Sequence, residues 1–156
     1  MTTFYLDSSA IVKFYVTEPG STWLRRMIES KTNVCTVCDI CLPEVAAALA
    51  QMYRDRRFGR SVMLDAYQRF RADLRQSLFV SHPVDQSTLS SAAELALRRA
   101  LKGYDAVQVA AAILVSNKIK GEFVFITGDK KMLNAAQAEG LSTDNPFDHT
   151  AEDQQT

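Results

Sequence analysis

Two short apolar runs, "TTFYLD" near the start and "EFVFITGD" late in the chain, each end in an acid, Asp7 and Asp129. Neither alternates apolar with polar side chains, so a strand formed by either must be covered on both faces. Strands of that kind belong to parallel sheets, and parallel neighbours are joined by crossovers, usually helices. This pattern narrows the fold more than any other feature of the sequence.

The intervening stretches carry the required helices. "SSAIVKFYV" follows the first run, and "EPGSTWLRRMIESK" makes a turn and then a helix with Trp23, Leu24, Met27 and Ile28 on one face. "NVCTVCD" reads as a second strand. Pro43 suits the first turn of a helix over "PEVAAALAQMYRDRRF", with Gly59 as its stop. "SVMLDAYQRFRADLRQ" is a further amphipathic helix and "LFVSHPV" a third strand. Ser87 is expected to cap "STLSSAAELALRRALK", and Gly103 to end it. "YDAVQVAAAILVSNK" is apolar almost all round, as a helix buried against a sheet should be. Gly140 closes "KKMLNAAQAEG", and "LSTDNP" holds a short last strand. Strands alternating with helices predict a mostly parallel sheet of roughly five strands with both faces covered. Ligand groups in such sheets stand outside the carboxyl ends of the strands, where Asp7 and Asp129 fall.

At 156 residues the chain suits one domain; residues 1–147 are expected to form it, with 148–156 a polar, frayed tail. Lys plus Arg and Asp plus Glu are both 18, so net charge indicates no class of partner. Local charge says more: seven arginines, Arg54, Arg56, Arg57, Arg60, Arg69, Arg71 and Arg75, cluster within 22 residues. No leader resembling a secretory signal is present, and the longest apolar run contains Gln108, so a cytoplasmic location without membrane contact is expected. "CTVCDIC" has the spacing of a metal motif, but no fourth cysteine exists and His82 and His149 are distant in sequence. The β-branched surroundings make Cys35, Cys38 and Cys41 reduced core residues instead.

Four acids stand at helix starts beside apolar segments: Asp7, Glu44, Asp105 and Asp129. Each alone can be a capping or first-turn acid, commonly stabilising by about 0.5–2 kcal/mol. Together they can converge on one sheet edge, where unpaired carboxylates would repel and take up protons. A divalent cation removes that conflict, and ligands that are all oxygen select Mg²⁺ or Mn²⁺ over zinc.

"FYLDSSAIVKFY", "LPEVAAAL", "LKGYDAVQVAAAI" and "FITGDKKMLNAAQAEGL…DNP" resemble, in order and spacing, the PIN-domain ribonucleases, closest to the VapC toxins of toxin–antitoxin pairs. The resemblance runs from about Tyr5 to Pro146. It implies a three-layer α/β/α PIN-like fold and a Mg²⁺-dependent endoribonuclease. Asp7 and Asp105 would be the principal metal ligands, Glu44 would complete the cluster, and Asp129 would bind a second ion or act through water. Ser9 would hydrogen-bond a ligand carboxylate or a substrate phosphate, with Thr127 and Asn145 nearby in supporting roles or as ordinary strand and turn residues. The implied chemistry is hydrolysis of RNA by metal-activated water, on a single strand or an exposed tRNA or rRNA loop. The implied partners are a cognate antitoxin and a second protomer. The arginine-rich stretch, with Tyr53, Phe58 and Tyr67 interleaved, suits RNA, antitoxin or protomer, or is simply solvated helix surface. The alternative function is a non-catalytic PIN-like module that binds RNA or protein. A dehalogenase-type phosphotransferase would want an acid where Ser9 stands, and a receiver-type domain an acidic pair near the first strand.

Overall fold

A computed structural model describes residues 1–154. Five strands, β1 (Thr2–Leu6), β2 (Asn33–Cys38), β3 (Val80–His82), β4 (Phe123–Ile126) and β5 (Thr143–Asp144), form one sheet in the order β3-β2-β1-β4-β5. Every pairing is parallel, with Tyr5 opposite Thr36 on one side and Phe125 on the other. Between strands run α1 (Ser8–Tyr15), α2 (Ser21–Glu29), α3 (Cys41–Arg54), α4 (Arg60–Arg75), α5 (Gln86–Arg99), α6 (Gly103–Ser116) and α7 (Lys130–Ala138).

The two faces bury separate cores. Leu6, Val37 and Ile126 point toward α1–α4, where Ile11, Leu24, Leu49 and Phe70 pack. Tyr5, Cys38 and Phe125 point the other way, onto Leu95 of α5, Val109 and Ala112 of α6, and Met132 of α7. Successive residues of one strand therefore enter opposite cores, which is why β1 and β4 are apolar without alternation. α6 is buried almost all round because it lies between the sheet and α5. The three layers match the architecture expected.

Several helix boundaries differ from expectation. Asp85, not Ser87, caps α5, its side chain accepting from Thr88 N at 2.8 Å. α5 ends four residues before Gly103, with Ala100 in the left-handed region at φ 52°, and Gly103 instead opens α6. Gly59 precedes α4 rather than ending α3, whose exit uses Arg56 at φ 59°. At both helix exits, Ala100 and Arg56, a non-glycine residue took the left-handed position that glycine would fill most cheaply. Cys35 and Cys38 lie in β2, Cys41 opens α3, and all three are free and buried. Burial pushes the Cys35 and Cys41 thiols up to about 12.

The tail has structure of its own. As far as Gln154 it forms a 3-10 segment, Pro146–Gln154, kinked at His149. Asp153 accepts from Gly20 N at 2.6 Å and Thr22 N at 3.1 Å, which satisfies free donors at the start of α2. His149 stacks on Trp23 at 4.0 Å, and Glu152 pairs with Arg26 at 2.9 Å. Gly20 is required there, because a Cβ would come within 2.1 Å of Pro146 O and φ is +85°. The last two residues of the predicted tail lie outside the described residues.

Candidate metal and active site

The strand order places β4 beside β1, so the chain reverses its direction of travel across the sheet between them. Crevices open at such a switch point, outside the carboxyl ends of the strands. Asp7 leaves β1 at that point and caps α1, its Oδ1 accepting from Ala10 N at 2.9 Å. It does more than cap. The residue is 3% exposed. Ser9 Oγ donates to its carboxylate (2.8 and 2.9 Å to the two oxygens), and Thr127 Oγ1 donates to Oδ2 at 2.8 Å.

Asp129 caps α7, accepting from Lys131 N at 2.7 Å and Met132 N at 3.0 Å. Its own N–H donates to Thr127 Oγ1 at 3.0 Å, so one buried hydroxyl joins both acids. Ser9 Oγ likewise accepts from Gly128 N at 3.1 Å, tying α1 to the turn after β4.

Glu44 stands in the first turn of α3. Its Oε2 accepts from Ser8 Oγ and from Gln108 Nε2, both at 2.5 Å. Gln108 is 1% exposed and is held in turn by Tyr5 OH, which donates to its Oε1 at 2.9 Å. Asp105 sits in the first turn of α6, half-buried, and its carboxylate accepts no hydrogen bond from the described residues.

Electrostatics links what hydrogen bonds do not. Burial pushes the Asp7 carboxyl up to about 6, against the three donors that hold it, and the Glu44 charge adds to the rise. The Glu44 carboxyl is also raised, by burial first and by Asp105. Asp105 is raised by burial and by Asp129, while Lys102 and Lys131 oppose the rise. A field of like charge thus runs through all four acids.

The donor set suits a hard divalent cation by charge and by atom type. By distance it is not assembled: among the described residues, no three His, Cys, Asp or Glu side chains stand ready to hold an ion. Asp7 is held by three donors, the Ser9 and Thr127 hydroxyls and the Ala10 amide, which orient its carboxylate and leave part of its acceptor capacity for a cation.

Of the residues expected at the site, Asp7, Ser9, Asp129 and Thr127 are joined by hydrogen bonds, with Glu44 and Asp105 beside them. Asn145 is not among them; it accepts from Phe147 N at 3.0 Å and shapes a turn. None of the clustered arginines is hydrogen-bonded to these acids among the described residues; Arg57 is bound to Glu18 at 2.8 Å and Arg69 to Asp65 at 3.1 Å. Sequence reasoning missed Ser8 and Gln108 as supports of Glu44, and Lys102 and Lys131 as the cations beside Asp105. Gln108 alone left a trace, as the one polar residue in "AVQVAAAILV".

Comparison with known proteins agrees with this geometry. The sequence pattern of the PIN domain matches residues 4–138. The chain is 30% identical over 138 residues to Ribonuclease VapC45 of Mycobacterium tuberculosis, covering 87% of this chain and 90% of that one. Its fold is similar to that of PAE2754 from Pyrobaculum aerophilum (TM-score 0.67, 15% identity, 99% of this chain and 91% of that one). It is also similar to a chain of a toxin–antitoxin complex from Klebsiella pneumoniae (TM-score 0.61, 18% identity, 94% and 98%). Since the pattern spans nearly the whole sequence and the curated relative is covered almost end to end, the chain belongs to the PIN domain family.

Proposed function

We propose that this protein is a metal-dependent endoribonuclease, the toxin of a type II toxin–antitoxin pair. One observation carries the reading. Asp7, Glu44 and Asp105, at the starts of three different helices, are held at one sheet edge with carboxyls raised by burial and by neighbouring acids. Such crowding destabilises a fold unless a cation offsets it. Its similarity to Ribonuclease VapC45 supports RNA as the substrate, on a single strand or an exposed tRNA or rRNA loop.

Asp7, Asp105, Glu44 and Asp129 are the residues that would hold Mg²⁺ or Mn²⁺. When bound, the ion supplies Lewis acidity and a water of lowered pKa. The chain's own residues prepare the place. Thr127 and Ser9 fix the Asp7 carboxylate, and Ser8 and Gln108 hold one oxygen of Glu44. Asp105 keeps both oxygens available, while exposed Lys102 and Lys131 attract the phosphates that flank the cut.

A second reading, a non-catalytic PIN-like binding module, is favoured by the unassembled donor set. The two separate on incubating total RNA with the purified protein in Mg²⁺, in Mn²⁺ and in EDTA, beside Asp105→Asn. Cleavage that needs metal and is lost in the variant supports the enzyme. RNA binding without cutting, equal in both chains, supports the module.

The inhibitory partner in this reading is an antitoxin, supported by the toxin–antitoxin complex among the similar structures. Tyr53, Val62 and Leu64 are each at least 40% exposed on α3 and α4 and offer apolar surface for a homodimer. Light scattering at micromolar concentration should give a dimer mass; a monomer would exclude it. No helix among the described residues is long and apolar enough to cross a membrane, and the proposed place of action is the cytoplasm.

A further inference from the structure

A cavity of about 310 Å³ opens beside the acids, with Ser9 and Asp129 on its inner rim and Lys13, Glu18, Met52 and Phe147 among its walls. Phe147 is 47% exposed, yet its ring is not loose. Its backbone is fixed by Asn145, and the ring rests on Gly128, where a Cβ would come within 3.1 Å of Cε2. The Lys13 ammonium stands 4.0 Å from the ring centroid.

Charge selects the occupant. Lys13 is 3% exposed and paired with Glu18 at 3.3 Å, and Arg57 pairs with the other Glu18 oxygen at 2.8 Å. The cations are offset, and the Glu18 and Asp129 carboxylates line the recess, so a phosphate would be repelled. A flat, neutral group with an aromatic face fits better: it can stack on the face of Phe147 that Lys13 leaves open, lie against the Met52 thioether, and donate a hydrogen bond to Glu18. Ser9 and Asp129 belong to both the recess and the acid site, so whatever occupies one adjoins the other.

We infer that this recess is a nucleobase subsite, with Phe147 as the stacking platform for a base flanking the scissile phosphate. This rests on the RNA-cleaving reading above. The platform is oriented before RNA arrives, and stacking on it tolerates any base because every base has an aromatic face. Phe147 acts here as a positioning residue, lowering KM without touching the reacting bond.

The test uses a single-stranded oligoribonucleotide that the parent cuts at one site, and a series with one abasic nucleotide walked through the flanking positions. One position should raise KM about tenfold, with kcat little changed. Phe147→Leu should raise KM similarly on the intact strand and erase that abasic penalty, while Phe147→Tyr should keep the parent's behaviour. Thermal melting confirms that the variants stay folded. Binding of the same strands to Asp105→Asn, with and without Phe147→Leu, reads the subsite without needing cleavage. If the parent cuts nothing but the binding pattern holds, the recess stands and the catalytic reading falls. If cleavage is intact and the abasic penalty persists in Phe147→Leu, the recess is not a base site. Loss of inhibition by a partner protein in Phe147→Leu, with unchanged cleavage and RNA binding, would assign the recess to a protein side chain and overturn the inference.

Discussion

Replacing Asp7 by Asn separates the cap from the ligand, and the structure supplies the magnitude. The Asp7 carboxyl titrates at about 6 instead of the ordinary 3.8. At about 1.4 kcal/mol per pH unit, that gap is a penalty of about 3 kcal/mol for burying the charged form. The penalty is absent below pH 3.8, where the acid is neutral both folded and unfolded. It grows between 3.8 and about 6 and is constant above, so the parent loses stability as pH rises through that window. Asn carries no charge and escapes the loss. It still caps α1 through its Oδ1, but an amide nitrogen facing Thr127 cannot accept that hydroxyl's proton, which costs about 1 kcal/mol. In EDTA at pH 8, Asp7→Asn should therefore be more stable than the parent by about 2 kcal/mol, or about 4–8 °C in Tm. Near pH 4 the order should reverse by about 1 kcal/mol. Adding Mg²⁺ should raise the parent's Tm and leave the variant's unchanged, and RNA cleavage should vanish in the variant. Melting curves across the pH range, with and without Mg²⁺, measure all of this. A variant less stable than the parent at pH 8 would refute the reasoning, since the carboxylate would then be a net support of the fold.

Thr127→Val keeps the side-chain shape but removes the hydroxyl shared by Asp7 and the Asp129 N–H. It should cost about 1–3 kcal/mol in urea unfolding at pH 8 and less near pH 4, where Asp7 is neutral. Gly20→Ala should lower Tm and release the 3-10 segment to limited proteolysis near Phe147, because its Cβ would collide with Pro146 O. Replacing Cys35, Cys38 and Cys41 together by Ala should lower stability through lost packing, yet leave metal-dependent cleavage measurable; loss of a bound metal in that variant would overturn their assignment as core thiols.

Local signals determined much of this protein. Apolar runs without alternation in β1 and β4 required a covered parallel sheet, because each strand's successive side chains enter different cores. Pro43 in the first turn of α3 and Gly140 past the end of α7 read correctly, because a fixed φ and a left-handed φ are properties of the residue itself. The helix ends at Ala100 and Arg56 did not, since there a non-glycine residue is held left-handed by its surroundings. The four acids could be picked out as a set, each beside a strand or helix start.

What joins them could not. Thr127 bonds Asp7 across 120 positions of sequence, and Gln108 bonds Glu44 across 64. The Phe147 recess needs α1, α3, the turn after β4 and the tail in one place. Such contacts depend on strand order, and strand order is set by the competition of whole faces for burial rather than by any local run. The tail shows the same limit. "TAEDQQT" is polar and reads as free chain, yet Asp153 finds the unsatisfied N–H groups of Gly20 and Thr22 more than 130 residues away. A polar segment orders wherever the fold leaves donors uncovered beside it, and only the tertiary structure decides where that is.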